Sequence, residues 1–91
     1  MEENFITPEF LESKGFEKVP NDGSFIEYAY RRFYLTIKIA FLSMEGNESI
    51  IFEIITPEIN FSWKKSKLYR YEFWNILRDL EVEVPLSFLK N

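Results

Sequence analysis

Arg70, Trp74 and Arg78 recur at i, i+4 and i+8, and Lys64, Lys65 and Lys67 stand just ahead of them, behind Trp63. Cations interleaved with aromatic rings suit two kinds of binding. Rings can stack on bases while the cations neutralise phosphates, or ring and guanidinium together can anchor a protein partner. On a helix, residues 70, 74 and 78 would share one face. The competing role is structural: Trp74 widens an apolar stripe and the arginines lay their stems over it. The indole suits the core role better. Lys64, Lys65, Lys67, Arg70, Trp74 and Arg78 together form the candidate partner-binding set, with the cations as the stronger contacts. Residues 64–78 carry a net +4 in a chain of net −4, whereas residues 1–27 carry −5. An acidic chain opposes phosphate binding overall, so a protein partner is the first expectation and nucleic acid the alternative.

Other chemistry is removed by composition. The 91 residues include no histidine and no cysteine. Ser-His and Cys-His nucleophiles and nitrogen- or sulfur-ligated zinc are therefore unavailable. The three glycines stand alone at 15, 23 and 46, which leaves no phosphate-cradling loop. The fifteen carboxylates show no EF-hand spacing, and Glu45 and Glu48 read as decoration of an exposed turn. Ser62 or Ser66 beside Lys64, Lys65 or Lys67 has the composition of a Ser-Lys pair, but charged connections of this kind are solvated. Asn47-Glu48-Ser49 matches a glycosylation sequon without any secretory signal. The expectation is a protein that is not an enzyme, with no catalytic, cofactor-binding or metal residues.

The elements that must position these side chains follow from periodicity. Hydrophobic residues make up 46% of the chain and aromatics 19%, enough to bury a core in a single domain spanning 1–91. Phe33, Leu35, Ile37, Ile39 and Phe41 alternate with mixed residues from Phe33 to Leu42, which predicts a long central strand with one buried face. Thr7-Pro8-Glu9 predicts a helix start with Thr7 as cap, Ile6 and Leu11 as its staple and Gly15 as its left-handed stop. Residues 16–19 and 25–30 read as strands on either side of an Asp22-Gly23 turn. Arg31-Arg32 is either a two-residue hairpin loop, pairing Tyr30 with Phe33 and Ile26 with Ile37, or a bulge in one bent strand. The loop is preferred because its pairing is self-consistent.

Ser49 to Thr56 is the next strand, and Pro57 separates it from an edge strand over 58–63. Ser66 is a candidate cap for a main helix over 68–80, whose Tyr69, Phe73, Ile76, Leu77 and Leu80 form the stripe that covers the sheet. Residues 81–84 alternate and stop at Pro85, as an extended segment or short edge strand would. The expected fold class is α+β. It is a single antiparallel sheet of about four to five strands, packed by a short N-terminal helix and a longer C-terminal one.

The opening Ile6-Thr7-Pro8-Glu9-Phe10-Leu11-Glu12-Ser13-Lys14-Gly15-Phe16-Glu17-Lys18 resembles the start of short uncharacterised proteins of Bacteroidetes bacteria and their phages. In these, a Thr-Pro-Glu-Phe-Leu helix leads into Gly-Phe, several strands and a terminal helix. The resemblance implies a bacterial or phage origin and brings no activity with it. With no basic and apolar leader and no apolar run approaching the roughly 18 residues of a membrane span, the expected location is cytoplasmic. The leading functional expectation is a small interaction protein, such as an accessory or inhibitor from a phage or mobile element. A homodimer is one form its partnership could take, and a nucleic-acid-binding module using segment 63–78 is the alternative.

Overall fold

A computed structural model of the chain describes residues 4–21, 23, 25–44 and 47–79. Thr7 sits in extended backbone and its hydroxyl accepts from the Phe10 amide at 3.1 Å, so Pro8 can open helix α1 (Pro8–Ser13). The Ile6 and Leu11 staple is fully inside. At the other end the Gly15 amide donates to the Glu12 carbonyl and the Phe16 amide to the Leu11 carbonyl, closing both carbonyls of a Schellman stop. That stop requires the left-handed turn, and Gly15 supplies it at φ 95°.

Five strands follow in a simple antiparallel meander: β1 (Glu17–Val19), β2 (Ile26–Arg32), β3 (Leu35–Met44), β4 (Asn47–Ile55) and β5 (Asn60–Lys65), ordered β1-β2-β3-β4-β5 across the sheet. The fold is therefore α+β with a single five-stranded antiparallel sheet. Helix α2 (Arg70–Asp79) closes the described chain. Phe10 and Leu11 of α1 and Phe73 and Leu77 of α2 pack on the same face of the sheet. They meet Ile37, Ile39, Phe52 and Ile54 there, and the Phe52 and Phe73 rings contact edge-on with centroids 5.3 Å apart. The alternation read in β3 is real: Leu35, Ile37 and Ile39 are buried. The start of α2 is tied to the N-terminal segment. Ile6 donates to the Leu68 carbonyl at 2.8 Å and Arg70 to the Asn4 carbonyl at 2.7 Å.

Several expectations are corrected. Arg31 and Arg32 are not a loop. They lie in β2, Arg31 opposite Thr36 and Arg32 opposite Leu35, while Tyr30 pairs with Ile37 and Ile26 with Phe41. The turn is Phe33-Tyr34, so the strand begins at Leu35 and not at Phe33. The two registers differ by a slip of four residues, an even number that leaves every side chain on its original face. What favours the observed one is length, because seven residue pairs form and the core-facing rung extends to Phe41. Its cost is the backbone of Phe33, which takes φ 54°.

The main helix starts at Arg70 rather than at 68, and Ser66 is not its cap. Tyr69 holds that position: its carbonyl accepts from the Phe73 amide and its amide donates to Glu72 Oε1 at 3.0 Å, half of a capping box. Leu68 is buried within the connection, whereas Tyr69 is exposed and pairs by a bridge with Phe5. Ile76 is half-buried and contributes at the edge of the core. Leu80 and the extended segment expected over 81–84 lie outside the described residues, as does most of the Glu45-Gly46 turn.

Candidate functional site

The six residues singled out in the sequence do not form one surface. In β5 burial alternates, so Lys64 projects from the sheet face opposite the helices while Lys65 points to the helix side. Lys65 forms an ion pair with Glu72 and lies over the Trp63 ring, 4.9 Å from its centroid. The Glu72 carboxyl is held below the usual glutamate range, chiefly by the Lys65 hydrogen bond and then by the Tyr69 amide, with burial opposing. Lys67 stands over the Phe5 ring at 5.0 Å. Arg70 lies over Phe10 at 4.3 Å, and its Nε is buried without a hydrogen-bond partner among the described residues. Arg78 donates to Asn75 Oδ1 at 2.7 Å on an exposed turn of α2. Trp74 is half-buried, with its ring 4.9 Å from Phe73 and 5.8 Å from Phe10. Lys65, Lys67 and Arg70 thus pin the helices and the N-terminal segment to aromatic rings beneath them. Of these six residues, only Lys64 and Arg78 are exposed without lying over a ring.

The structure exposes a different group that sequence reasoning missed. At the β2–β3 turn Phe33 is 91% exposed and Tyr34 81%, and exposed Arg31 and Arg32 flank them. The Arg32 guanidinium lies 5.6 Å from the Phe33 centroid. Phe33 is the one non-glycine residue with positive φ among the described residues. Two-residue hairpin turns ordinarily recruit glycine or asparagine for such backbone. The available signal was the pairing count, because a turn at 33–34 pairs all seven residues of β2.

At the far end of the same hairpin is a cavity of about 380 Å³, open to solvent. Its walls include Phe5, Pro8, Ile26, Phe41, Ile50 and Leu68, with exposed Glu48 and Lys67 also lining it. Ile26, which shares a face of β2 with buried Tyr28, lines this opening and is 42% exposed. Among the described residues no group of three carboxylates could hold a metal ion. No helix among them is long and apolar enough to cross a membrane. Compared with protein-family models, curated proteins and solved structures, the chain matches none of them.

Proposed function

We propose that this chain is a non-enzymatic protein-binding module whose docking element is the β2–β3 tip, Arg31, Arg32, Phe33 and Tyr34. The observation that carries the reading is Phe33: a large aromatic in left-handed backbone, 91% exposed. Left-handed backbone costs an L-residue about 1–2 kcal/mol, and a ring in open solvent returns almost no burial to the fold. A partner that covers the ring would return it. Arginine and tyrosine are enriched among the residues that dominate protein interfaces. The non-enzymatic part rests on a chain with neither histidine nor cysteine. The resemblance of residues 6–18 to short Bacteroidetes and phage proteins implies a bacterial or phage setting for such a module and adds nothing about its role.

The test compares three tagged proteins in a bacterial lysate, with copurified proteins and nucleic acid both quantified. They are the wild type, a Phe33→Ser/Tyr34→Ser variant, and a Lys64→Glu/Arg78→Glu variant that alters exposed charges elsewhere. All three should fold, since surface substitutions change stability little. The tip variant should lose protein capture while the charge variant keeps it. Retention of every partner by a folded tip variant would overturn the reading. Loss of nucleic acid alone, restored by low salt, would move the function to nucleic-acid binding.

A further inference from the structure

We infer that the partner of the tip is a second copy of this chain: Phe33 and Tyr34 of one copy seat in the cavity between Ile26, Phe41 and Leu68 of the next. The inference rests on the reading of the tip as a docking element and deepens it. Three features of the same hairpin support it. Each copy carries an aromatic knob without packing at one end and an apolar hollow of about 380 Å³ at the other. That volume lies in the range of pockets that enclose ligands of several rings, so an aromatic side chain fits with room for part of a second. The knob carries Arg31 and Arg32, and the hollow carries exposed Glu48, which gives an entering guanidinium a carboxylate to meet. Lys67 also lines the hollow, but its ammonium is drawn over the Phe5 ring.

Knob and hollow cannot meet within one copy. Ile26 and Phe33 are separated by the length of β2, roughly 20 Å at about 3.3 Å per residue. The contact is therefore head-to-tail, using two different surfaces on each chain. Such contacts build open rows or closed rings rather than isologous pairs. Both surfaces are available before association, so only exposed rings and the lip of the hollow need to be ordered.

The experiment uses sedimentation of the whole chain in three forms. The knob-less form is Phe33→Ser/Tyr34→Ser. The blocked form is Ile26→Arg, at a position exposed enough to carry a long charged side chain, with Glu48→Arg as a second blocked form should the first fail to fold. Wild type should gain mass with concentration, and each variant alone should stay at the 11.0 kDa of one chain. Mixed in equal amounts, the knob-less and blocked forms should give a particle of twice that mass and no larger. The intact knob of one then enters the intact hollow of the other, and nothing remains to propagate.

A wild type that stays monomeric at about 1 mM, where even a contact of about −4 kcal/mol would register, overturns the inference. So does a mixture of folded variants that stays monomeric. In either case, continued loss of heterologous partners by the knob-less form would leave the docking role of the tip standing. Retention of those partners would remove both.

Discussion

Replacing Phe33 with glycine should leave the fold about as stable as before, although it deletes a large aromatic side chain. The backbone at 33 takes φ 54°, which costs an L-residue about 1–2 kcal/mol and glycine almost nothing. Against that gain stand the extra chain entropy of glycine, about 0.5–1 kcal/mol, and an exposed cation–π contact with Arg32, about 0.5 kcal/mol. Loss of burial is small because the ring is 91% exposed. The net lies between about 0.5 kcal/mol of destabilisation and about 1 kcal/mol of stabilisation, centred close to zero on the stabilising side. Tyr34→Gly supplies the internal control. It removes a similarly exposed ring next door, where the backbone is not left-handed, so it meets the entropy cost with no strain to relieve. It should destabilise by about 0.5–1 kcal/mol. The two neighbours should thus separate by about 1 kcal/mol, or about 4–8 °C in Tm for a domain of this size. Urea and thermal denaturation of both variants measure it directly. If Phe33→Gly loses as much stability as Tyr34→Gly, the turn is not strained and the energetic case for a docking role at Phe33 fails.

Other perturbations address the frame that holds the tip. Ile37→Ala, at a fully buried position between Tyr30 and Ile54, should cost about 2–5 kcal/mol through lost transfer energy and a cavity, and a loss below about 1 kcal/mol in urea would contradict the assigned core. Thr7→Ala should cost about 0.5–2 kcal/mol by uncapping α1. Gly15→Val should cost more than the cap variant; a Cβ there would stand 3.8 Å from the Tyr30 ring, so dihedral strain and not a clash sets the loss, and equal stability of Gly15→Val and wild type would disprove it. Tyr28 donates to Glu12 Oε2 at 2.7 Å, and that bond, with burial and the nearby carboxylates, raises the phenol pKa above its ordinary value. A raised folded-state pKa gives stability that is whole below the ordinary tyrosine value near 10 and fades as pH climbs through the raised one. Tyr28→Phe should flatten that alkaline decline in a series of denaturation curves, and an unchanged decline would reassign it.

The buried face of β3, the Thr7 cap and the Gly15 stop were legible because each depends on neighbours in sequence. Thr7, Pro8 and Gly15 act within one helix, and the alternation of Leu35, Ile37 and Ile39 needs no partner to be read. The hairpin register was not legible in the same way. A slip by an even number of residues, here four, preserves inside and outside, so the pattern that identified β2 and β3 could not say which residues turn between them. Helix α2 was placed two residues early: Tyr69 falls in phase with Phe73, Ile76 and Leu77, although it stands exposed ahead of the helix and not on its buried face. The spacing of Arg70, Trp74 and Arg78 was read correctly as helical. What it could not contain was Phe5, Phe10 and Glu72 waiting across the fold for Lys67, Arg70 and Lys65.

That difference decides which cations are free to recognise something else. A charge already held over a ring or against a carboxylate must share or break that contact before it can serve a partner, and the exchange returns little net energy. Lys65, Lys67 and Arg70 are in that position, and their work is to hold two helices and the N-terminal segment onto the sheet. The Arg31 side chain makes no hydrogen bond or ion pair among the described residues, and the Arg32 guanidinium lies over the Phe33 ring that would dock beside it. A two-residue turn closing a hairpin of seven residue pairs also fixes the backbone under both rings, so a partner orders side chains but not a loop. Free cations, exposed rings and a short two-residue turn coincide at the β2–β3 tip, whereas in the basic segment before α2 Lys65 and Lys67 are engaged by the fold and only Lys64 stands clear.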